Sequence, residues 1–422
     1  MVHHTIRMSN TMAPKASSSS RYISRFPQVV KTLLIIASTL WLASCGVTPT
    51  APQVSVVPEV LAAPLPAAMD DMLTAELSRE LSHYDNAPLP SPRVTTKSRW
   101  VPVRWAELPG LGQDPLFEAW NAWIKSCERP GPVFAPLCSQ VRRLSIATPE
   151  EQRVWLLTRL QPYRIESLAG PETGQLTSYF EPLIKASRQR APGFEVPLYR
   201  PPAGLAARKP WYTRQEIETL PEARAALQGR EIAWLADPID ALLLHIQGSG
   251  RISITAADGS ERVTRLAFAG SNEQPYRSVN QWLISQGVTR VNPWPEATKA
   301  WAAQNPQRVQ QLLWSNPRYI FFQEETLTPL DSAFGPRGAQ GVALTPGRSI
   351  AVDPSSIPYG TPVWLASRGP AANLQRLVFA QDTGSAIVGA VRADYFAGTG
   401  DQAGLFAARM NQPLRLWALW PK

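Results

Sequence analysis

The stretch AQDTGSAIVGAVRADYF, residues 380–396, places two aspartates on either side of two glycine turns. Its first residues are typical of a buried strand, and Gly384 and Gly389 mark turns. The chain then presents Asp394 directly before two aromatic residues. Burial against aromatic side chains raises the pKa of a carboxyl group, and a raised pKa suits a general acid. The stretch therefore predicts a β-rich fold with a carboxylate site in a loop between strands.

Two further aspartates are candidates for the same site. Asp382 ends the strand that opens this stretch, and Asp353 follows a second apolar segment and precedes a proline. Each candidate also has a purely structural interpretation. Asp382 can hydrogen-bond loop amides, Asp353 can begin a turn, and Asp394 can cap one. The pattern alone leaves all three open as catalytic residues.

The sequence on either side predicts short strands and two helical regions. Helical patterns occupy 114–165 and 275–315, and the first begins at Asp114-Pro115 and continues through a capping box at 148–151. The strands predicted after residue 318 are 319–322, 348–352, 362–365, 376–381 and 414–419.

A separate β-rich module is predicted between these helical regions. The alternation from Leu242 to Thr255 predicts a strand, and Asp258-Gly259 is a strong hairpin signal before the return strand. The pattern as a whole indicates a mainly β (α+β) chain in which one β module is inserted into another.

Several other chemistries find no support in the sequence. The histidines and cysteines show no metal-ligand spacing, and no Gly-x-Ser-x-Gly elbow, P-loop or dinucleotide fingerprint occurs. Asp382-Thr383-Gly384 matches the aspartic-protease triplet, but a second such triplet is missing. Without the five basic residues of 1–44, the total of 42 falls to 37 against 33 acidic residues. We therefore predict no metal, no cofactor and no nucleic-acid partner.

The N-terminus is typical of an exported lipoprotein. Residues 1–44 are basic and then apolar, and the apolar run 33–42 is too short to span a bilayer. Leu42-Ala-Ser-Cys45 resembles a bacterial lipobox, in which Cys45 is acylated. An ordinary secretory peptide with an incidental cysteine is the alternative. Because Gly46 rather than Asp follows, we expect the outer membrane, with the protein on the periplasmic face and 45–95 as a Pro/Ala-rich tether.

The two remaining cysteines suggest a disulfide. Cys127 and Cys138 form an even pair in a chain predicted to be exported, where disulfides persist. Two buried free thiols are the alternative.

Several ordered motifs together resemble the membrane-bound lytic murein transglycosylase A family, over roughly residues 100–422. They include the carboxylate stretch 380–396 and the following segments: LTSYFEP (176–182), HIQGSGR (245–251), NPRYIFF (316–322), LTPGRSIAVDP (344–354) and LWAL (416–419).

The resemblance implies a double-psi β-barrel made of 96–176 and 269–422, with N-terminal helices and an inserted β-domain at 177–268. Glycan would lie in the cleft between them. The catalytic aspartate of the family corresponds to Asp394, with Asp382 and Asp353 close by. Tyr179 and Gln247 would line the groove from the inserted domain.

The sequence departs from the family pattern at two positions. Ser178 and Ser385 stand where such families usually have glycine, which puts the local loop geometry in question.

The resemblance also implies an activity, without a cofactor. It is cleavage of the β-1,4 bond between N-acetylmuramic acid and N-acetylglucosamine in peptidoglycan, with one aspartate as acid and base and a 1,6-anhydro product. The expected partners are glycan strands, the outer membrane through the lipid anchor, and other proteins of wall synthesis or degradation. A non-catalytic peptidoglycan-binding lipoprotein and a muramidase-type hydrolase remain as alternatives.

Overall fold

The computed structural model describes residues 81–171, 173–256, 258–288 and 295–422. The predicted signal segment 1–44, Cys45 and most of the predicted tether 45–95 lie outside these residues. In the described part, no helix combines the length and apolar character that crossing a membrane requires.

The strands and helices are short. The strands are β1 (Arg93–Val94), β2 (Ser98–Pro102), β3 (Leu160–Ser167), β4 (Gly174–Glu181), β5 (Leu183–Ser187), β6 (Val196–Tyr199), β7 (Glu231–Leu235), β8 (Gly250–Thr255), β9 (Glu261–Ser271), β10 (Ile320–Thr326), β11 (Ser349–Val352), β12 (Pro362–Arg368), β13 (Asn373–Asp382), β14 (Arg392–Thr399) and β15 (Asn411–Pro421). The helices are α1 (Phe117–Ser126), α2 (Cys138–Arg143), α3 (Pro149–Arg159), α4 (Arg214–Thr219), α5 (Pro221–Leu227), α6 (Pro238–Gln247), α7 (Val279–Ser285), α8 (Glu296–Gln304), α9 (Val309–Trp314), α10 (Pro329–Ser332) and α11 (Asp401–Arg409).

Six of the strands close into a barrel. The pairings run β4-β14-β11-β13-β12-β15 and return from β15 to β4, so this circuit has no free edge. The β11–β13 and β14–β4 pairs are parallel, and the other four are antiparallel. Strands β3, β2 and β1 continue the sheet beyond β15. The mainly β fold with a double-psi β-barrel is therefore confirmed.

The N-terminal helices cover the barrel with a tryptophan cluster. Trp120 and Trp123 of α1 pack against Trp155 of α3, and Trp123 also contacts Phe379 of β13. These side chains are largely shielded from solvent, which makes them core residues rather than a sugar-stacking surface. A disulfide between Cys127 and Cys138, with Cα atoms 5.5 Å apart, links the end of α1 to α2.

A buried ion pair fixes α1 to the barrel. The Arg348 guanidinium donates to both carboxylate oxygens of Asp114, at 2.7 and 2.8 Å, and both side chains are almost completely buried. The backbone of Leu377 completes the pair, since its amide donates to Asp114 and its carbonyl accepts from Arg348. Asp114 was predicted to cap the helix, but the helix begins only at Phe117. The Asp114 carboxylate instead pairs with Arg348, more than 200 positions away in the sequence.

The second sheet belongs to the inserted domain, and this domain extends past its predicted end at residue 268. Its strand order is β10-β9-β8-β5-β7-β6, so the insert runs from the end of β4 to the end of β10 at Thr326. Ile320 of β10 pairs with Ser271 of β9, which returns the chain to this sheet long after residue 268. At the other boundary, residues 177–181 of β4 belong to the barrel. Only the part of 269–422 after Thr326 therefore belongs to the barrel domain.

The helices of the insert also differ from the prediction. Leu242–Ile246 was predicted to belong to a strand, but it lies in α6, which Asp237 caps and Pro238 begins. This helix is buried on almost all sides, so its apolar run lacks a helical stripe. Leu242 shares one buried apolar cluster with Leu283 of α7 and Leu312 of α9, which holds these helices to the insert. The hairpin predicted at Asp258-Gly259 is confirmed, since β8 and β9 pair across it.

We predict that Asp114→Ala lowers the free energy of unfolding by about 3–5 kcal/mol, because it leaves Arg348 buried without its main counter-charge. Urea unfolding followed by tryptophan fluorescence measures this change. Lys209→Ala is the control: it breaks an exposed pair with Glu273 and should cost less than about 1 kcal/mol. Equal effects of the two substitutions would contradict the role given to the buried pair.

Candidate active site

The strand register brings Asp382 and Asp394 to the same level of the barrel. Ala351 of β11 pairs with Asp382 of β13 on one side and with Asp394 of β14 on the other. Neighbouring strands lie ~5 Å apart, so the two Cα atoms are separated by roughly two strand spacings. The barrel therefore places these two carboxylates close enough to belong to one site.

Asp394 is half-buried and keeps one oxygen available. Its Oδ1 accepts a hydrogen bond from the Thr177 hydroxyl, which in turn accepts one from Arg392 at 2.8 Å. Oδ2 accepts no hydrogen bond from the described part of the chain. Burial raises the pKa of Asp394, and the Thr177 hydrogen bond and the Arg392 charge oppose this shift. Such a carboxyl can hold a proton and present it to a ligand.

Asp382 has both oxygens engaged by the protein. Oδ2 accepts from the Tyr179 hydroxyl at 2.8 Å, and Oδ1 accepts from the amide of Ala339 at 3.0 Å. Burial raises the pKa of Asp382 to about 6, against the effect of its hydrogen bonds and with a small addition from Asp394. Its geometry suits orientation of the site better than proton transfer.

Asp353 lies nearby with a different set of contacts. It is buried, and Lys97 lies 2.8 Å from its Oδ2. The amides of Ser355 and Gly389 also donate to this carboxylate. Although burial opposes it, the pKa of Asp353 is lowered by the Lys97 and amide hydrogen bonds. The residue therefore anchors the loop before β14, and its contact with a substrate stays a prediction.

Tyr179 and Gln247 lie where the barrel meets the insert. Tyr179 was predicted to line the groove from the inserted domain, but it stands on barrel strand β4. Its ring contacts Phe396. Because β4 and β13 are opposite each other in the circuit, its hydrogen bond to Asp382 joins opposite strands. Gln247 ends α6 of the insert, and its side chain accepts from the amide of Phe180 on β4.

Three residues of the site were not found from the sequence. Thr177 pairs with Asp394 across the parallel strands β4 and β14, and Arg392 lies two residues before Asp394. Tyr276 of the insert is close enough for Asp394 to add to the rise in its pKa, which burial dominates. The available signal was the position of Thr177 within the quoted LTSYFEP motif, two residues before Tyr179.

A buried ion cluster of one glutamate and two arginines joins the barrel to the insert. Glu181, at the end of β4, is fully buried and accepts from Arg251 of β8 at 2.8 Å and from Arg265 of β9 at 2.6 Å. Both arginines also donate to the carbonyl of Phe334, and Thr399 of β14 donates to Glu181. These contacts fix strands β8 and β9 of the insert relative to strand β14, which carries Asp394.

The two serines at usual glycine positions fit the local structure. Ser385 is exposed and its φ is not positive, so the site loop does not need glycine there. Ser178 donates to the carbonyl of Tyr395 at 2.6 Å and adds a contact between β4 and β14. No cluster of three or more potential metal ligands occurs in the described residues.

The fold and the site define a class: a two-domain double-psi barrel protein with a protonatable carboxyl beside the domain junction. Residues 175–323 match the family model of the MltA specific insert domain, and residues 348–420 match that of the 3D domain. The chain belongs to the membrane-bound lytic murein transglycosylase A family. The matched end at 323 agrees with an insert that extends through β10.

Individual relatives agree with this assignment. A lytic transglycosylase of Burkholderia pseudomallei, LtgG, is 41% identical over 80% of this chain and 98% of its own, with a TM-score of 0.54. MltA from Neisseria gonorrhoeae is 26% identical over 79% and 96%, with a TM-score of 0.66. Membrane-bound lytic murein transglycosylase A of Vibrio cholerae is 33% identical over 58% of this chain and 64% of its own length. The match thus spans slightly less than two thirds of that relative.

We predict that Arg392→Gln raises the pKa of Asp394, because the positive charge that favours the carboxylate form is lost. NMR titration of a chain labelled with [13C]aspartate measures this pKa, with the Asp394 signal assigned from Asp394→Asn. Arg392→Lys keeps the charge and should leave the pKa near the wild-type value. An unchanged or lowered pKa in Arg392→Gln would show that Arg392 does not act on this carboxyl.

Proposed function

We propose that this protein is a peptidoglycan lytic transglycosylase that cleaves the β-1,4 bond between N-acetylmuramic acid and N-acetylglucosamine. The observation that carries the proposal is Oδ2 of Asp394, which accepts no hydrogen bond from the described residues and belongs to a carboxyl group whose pKa burial raises. The family assignment and the relative from Burkholderia pseudomallei, which is described as a lytic transglycosylase, support the same reaction class.

In this mechanism Asp394 acts twice. The neutral carboxyl donates its proton to the oxygen that links the two sugars, and the bond from this oxygen to C1 of N-acetylmuramic acid breaks. An oxocarbenium-like centre forms at C1. The Asp394 carboxylate then accepts the proton of the C6 hydroxyl of the same sugar. The C6 oxygen bonds to C1, so a 1,6-anhydro end forms and no water is consumed.

A single protein carboxylate is sufficient because the nucleophile belongs to the substrate. Its C6 hydroxyl reaches C1 within one sugar, and intramolecular attack has a very high effective concentration. Asp382 is already held by Tyr179 and Ala339, which suits a role in orienting the sugar. Gln247 at the domain junction and Asp353 behind the loop would support the bound strand.

Two other functions use the same fold. A non-catalytic wall-binding lipoprotein would hold glycan without turnover, and a muramidase-type hydrolase would use water and release reducing ends. The available oxygen on Asp394 favours an enzyme over a binding protein. The lack of a second carboxylate with a free oxygen beside Asp394, among the described residues, favours the anhydro product over hydrolysis.

We predict that Asp394→Asn lowers the release of 1,6-anhydro muropeptides from purified sacculi by about 10²- to 10⁴-fold, because the amide can neither donate nor accept the proton. Chromatography with mass spectrometry identifies the products, and unchanged circular dichroism and sacculus binding show that the fold is intact. Asp382→Asn is the companion variant, with a smaller expected loss. Near-normal turnover by Asp394→Asn would refute the assignment, and reducing-end products from the wild type would indicate a hydrolase.

We also propose that the protein is anchored through lipid on Cys45 at the periplasmic face of the outer membrane, where it meets glycan strands and other wall proteins. We predict that Cys45→Ser abolishes incorporation of labelled palmitate and moves the protein from the membrane to the soluble periplasmic fraction. Cys127→Ser, which leaves the lipobox intact, should keep the label. Palmitate incorporation into Cys45→Ser would contradict the anchor.

A further inference from the structure

The insert contains a cavity that is separate from the catalytic carboxylates. It has a volume of about 730 Å³ and lies between β6, α4, α5, α6 and α9, and Asp353, Asp382 and Asp394 do not line it. Its deep end is formed by the buried residues Arg214 and His245, and the exposed residues Arg224, Ala225 and Gln228 stand at its mouth.

Arg214 is a buried cation without a salt-bridge partner in the described residues. Its Nε donates to the carbonyl of Asn316, and its Nη2 donates to the carbonyl of Arg318 and to His245 Nδ1. Glu218 also lines the cavity and its charge favours the charged form of Arg214, but its carboxylate accepts hydrogen bonds from Trp314 and Gln310 and none from the guanidinium. Because a buried guanidinium is usually bonded directly to an anion, the base of the cavity can accommodate a further carboxylate.

His245 does not neutralise this charge. Arginine can only donate, so Nδ1 of His245 accepts and the proton lies on Nε2. Burial, with a contribution from Arg214, lowers the pKa of His245 well below its usual value, so the ring is neutral. Its Nε2–H has no acceptor among the described residues. The base of the cavity therefore presents donors, and among the described residues no carboxylate accepts a hydrogen bond from them.

The residues that line the cavity restrict which anionic ligands can bind there. Tyr319 lies under the Arg214 guanidinium, with its ring centroid 4.9 Å away, and Ile217 and Leu313 are apolar neighbours in the lining. Towards solvent the lining includes Glu195 and Glu231. A ligand that fits has a carboxylate at one end, small apolar groups next to it, and polar or positively charged groups at the other end.

We propose that this cavity binds the C-terminal carboxylate of a short peptide, with Arg214 as the carboxylate-binding residue. The peptide stems of peptidoglycan have this chemistry, so this identification of the ligand rests on the proposed function. The guanidinium forms charge-assisted hydrogen bonds with a carboxylate, and the alkyl side chains of the peptide contact Ile217 and Leu313. The insert then holds the stem while the barrel acts on the glycan.

Isothermal titration calorimetry of the full-length chain with N-acetyl-D-alanyl-D-alanine tests this site. We expect binding of the free acid and at least about tenfold weaker binding of its C-terminal amide, which lacks the charge that Arg214 recognises. Ala225→Trp fills the mouth from an exposed position and should abolish binding. Glu222→Trp, on the same helix but outside the lining, should bind as the wild type does.

The outcomes separate this inference from the proposed function. Equal affinity for acid and amide, undetectable binding of the acid, or equal effects of the two tryptophan substitutions would overturn the peptide site. Release of anhydro products from peptide-free glycan strands is the second readout, and Ala225→Trp should leave it unchanged. Failure of the wild type in that assay would count against the proposed reaction, whereas the calorimetry would still decide the peptide site.

Discussion

The orientation of the two domains depends on Glu181, a fully buried carboxylate with two arginine partners. Glu181 ends the barrel strand β4, whereas Arg251 and Arg265 come from adjacent strands of the insert. Removing three ionic groups from water is costly, so this cluster is stable only when barrel and insert meet in one geometry. The same strand carries Thr177 and Tyr179, which contact Asp394 and Asp382. The domain junction and the site are therefore fixed by one segment of eight residues.

Closure of the barrel supplies the second constraint. A strand that slipped by one residue would turn its side chains to the other face, and the pairing of Ala351 with both Asp382 and Asp394 would be lost. The closed circuit resists such slips because every barrel strand has two neighbours. Arg348, directly before β11, adds a buried anchor to Asp114 and so couples the N-terminal helices to this register.

Features with local causes were predictable from the sequence, and those with distant causes were not. The Asp258-Gly259 hairpin and the capping box at Thr148 depend on residues within a few positions, and both occur in the structure. The end of the insert depends on β10 pairing with β9, across about 50 intervening residues. The role of Thr177 depends on parallel pairing with Asp394, more than 200 residues away. The choice of Asp394 as the catalytic candidate came from the family resemblance, because the residue pattern alone did not distinguish among three aspartates.

The surroundings of Glu181, Asp353 and Asp394 differ in how far they compensate a negative charge. Glu181 has two guanidinium partners, and Asp353 has Lys97 and two amides, so each has strong compensation for its negative charge. Asp394 has one hydroxyl on one oxygen and a guanidinium that acts through that hydroxyl. Burial without full compensation favours the neutral acid. The same chemical group is thus closely paired at Glu181 and Asp353 and less compensated at Asp394.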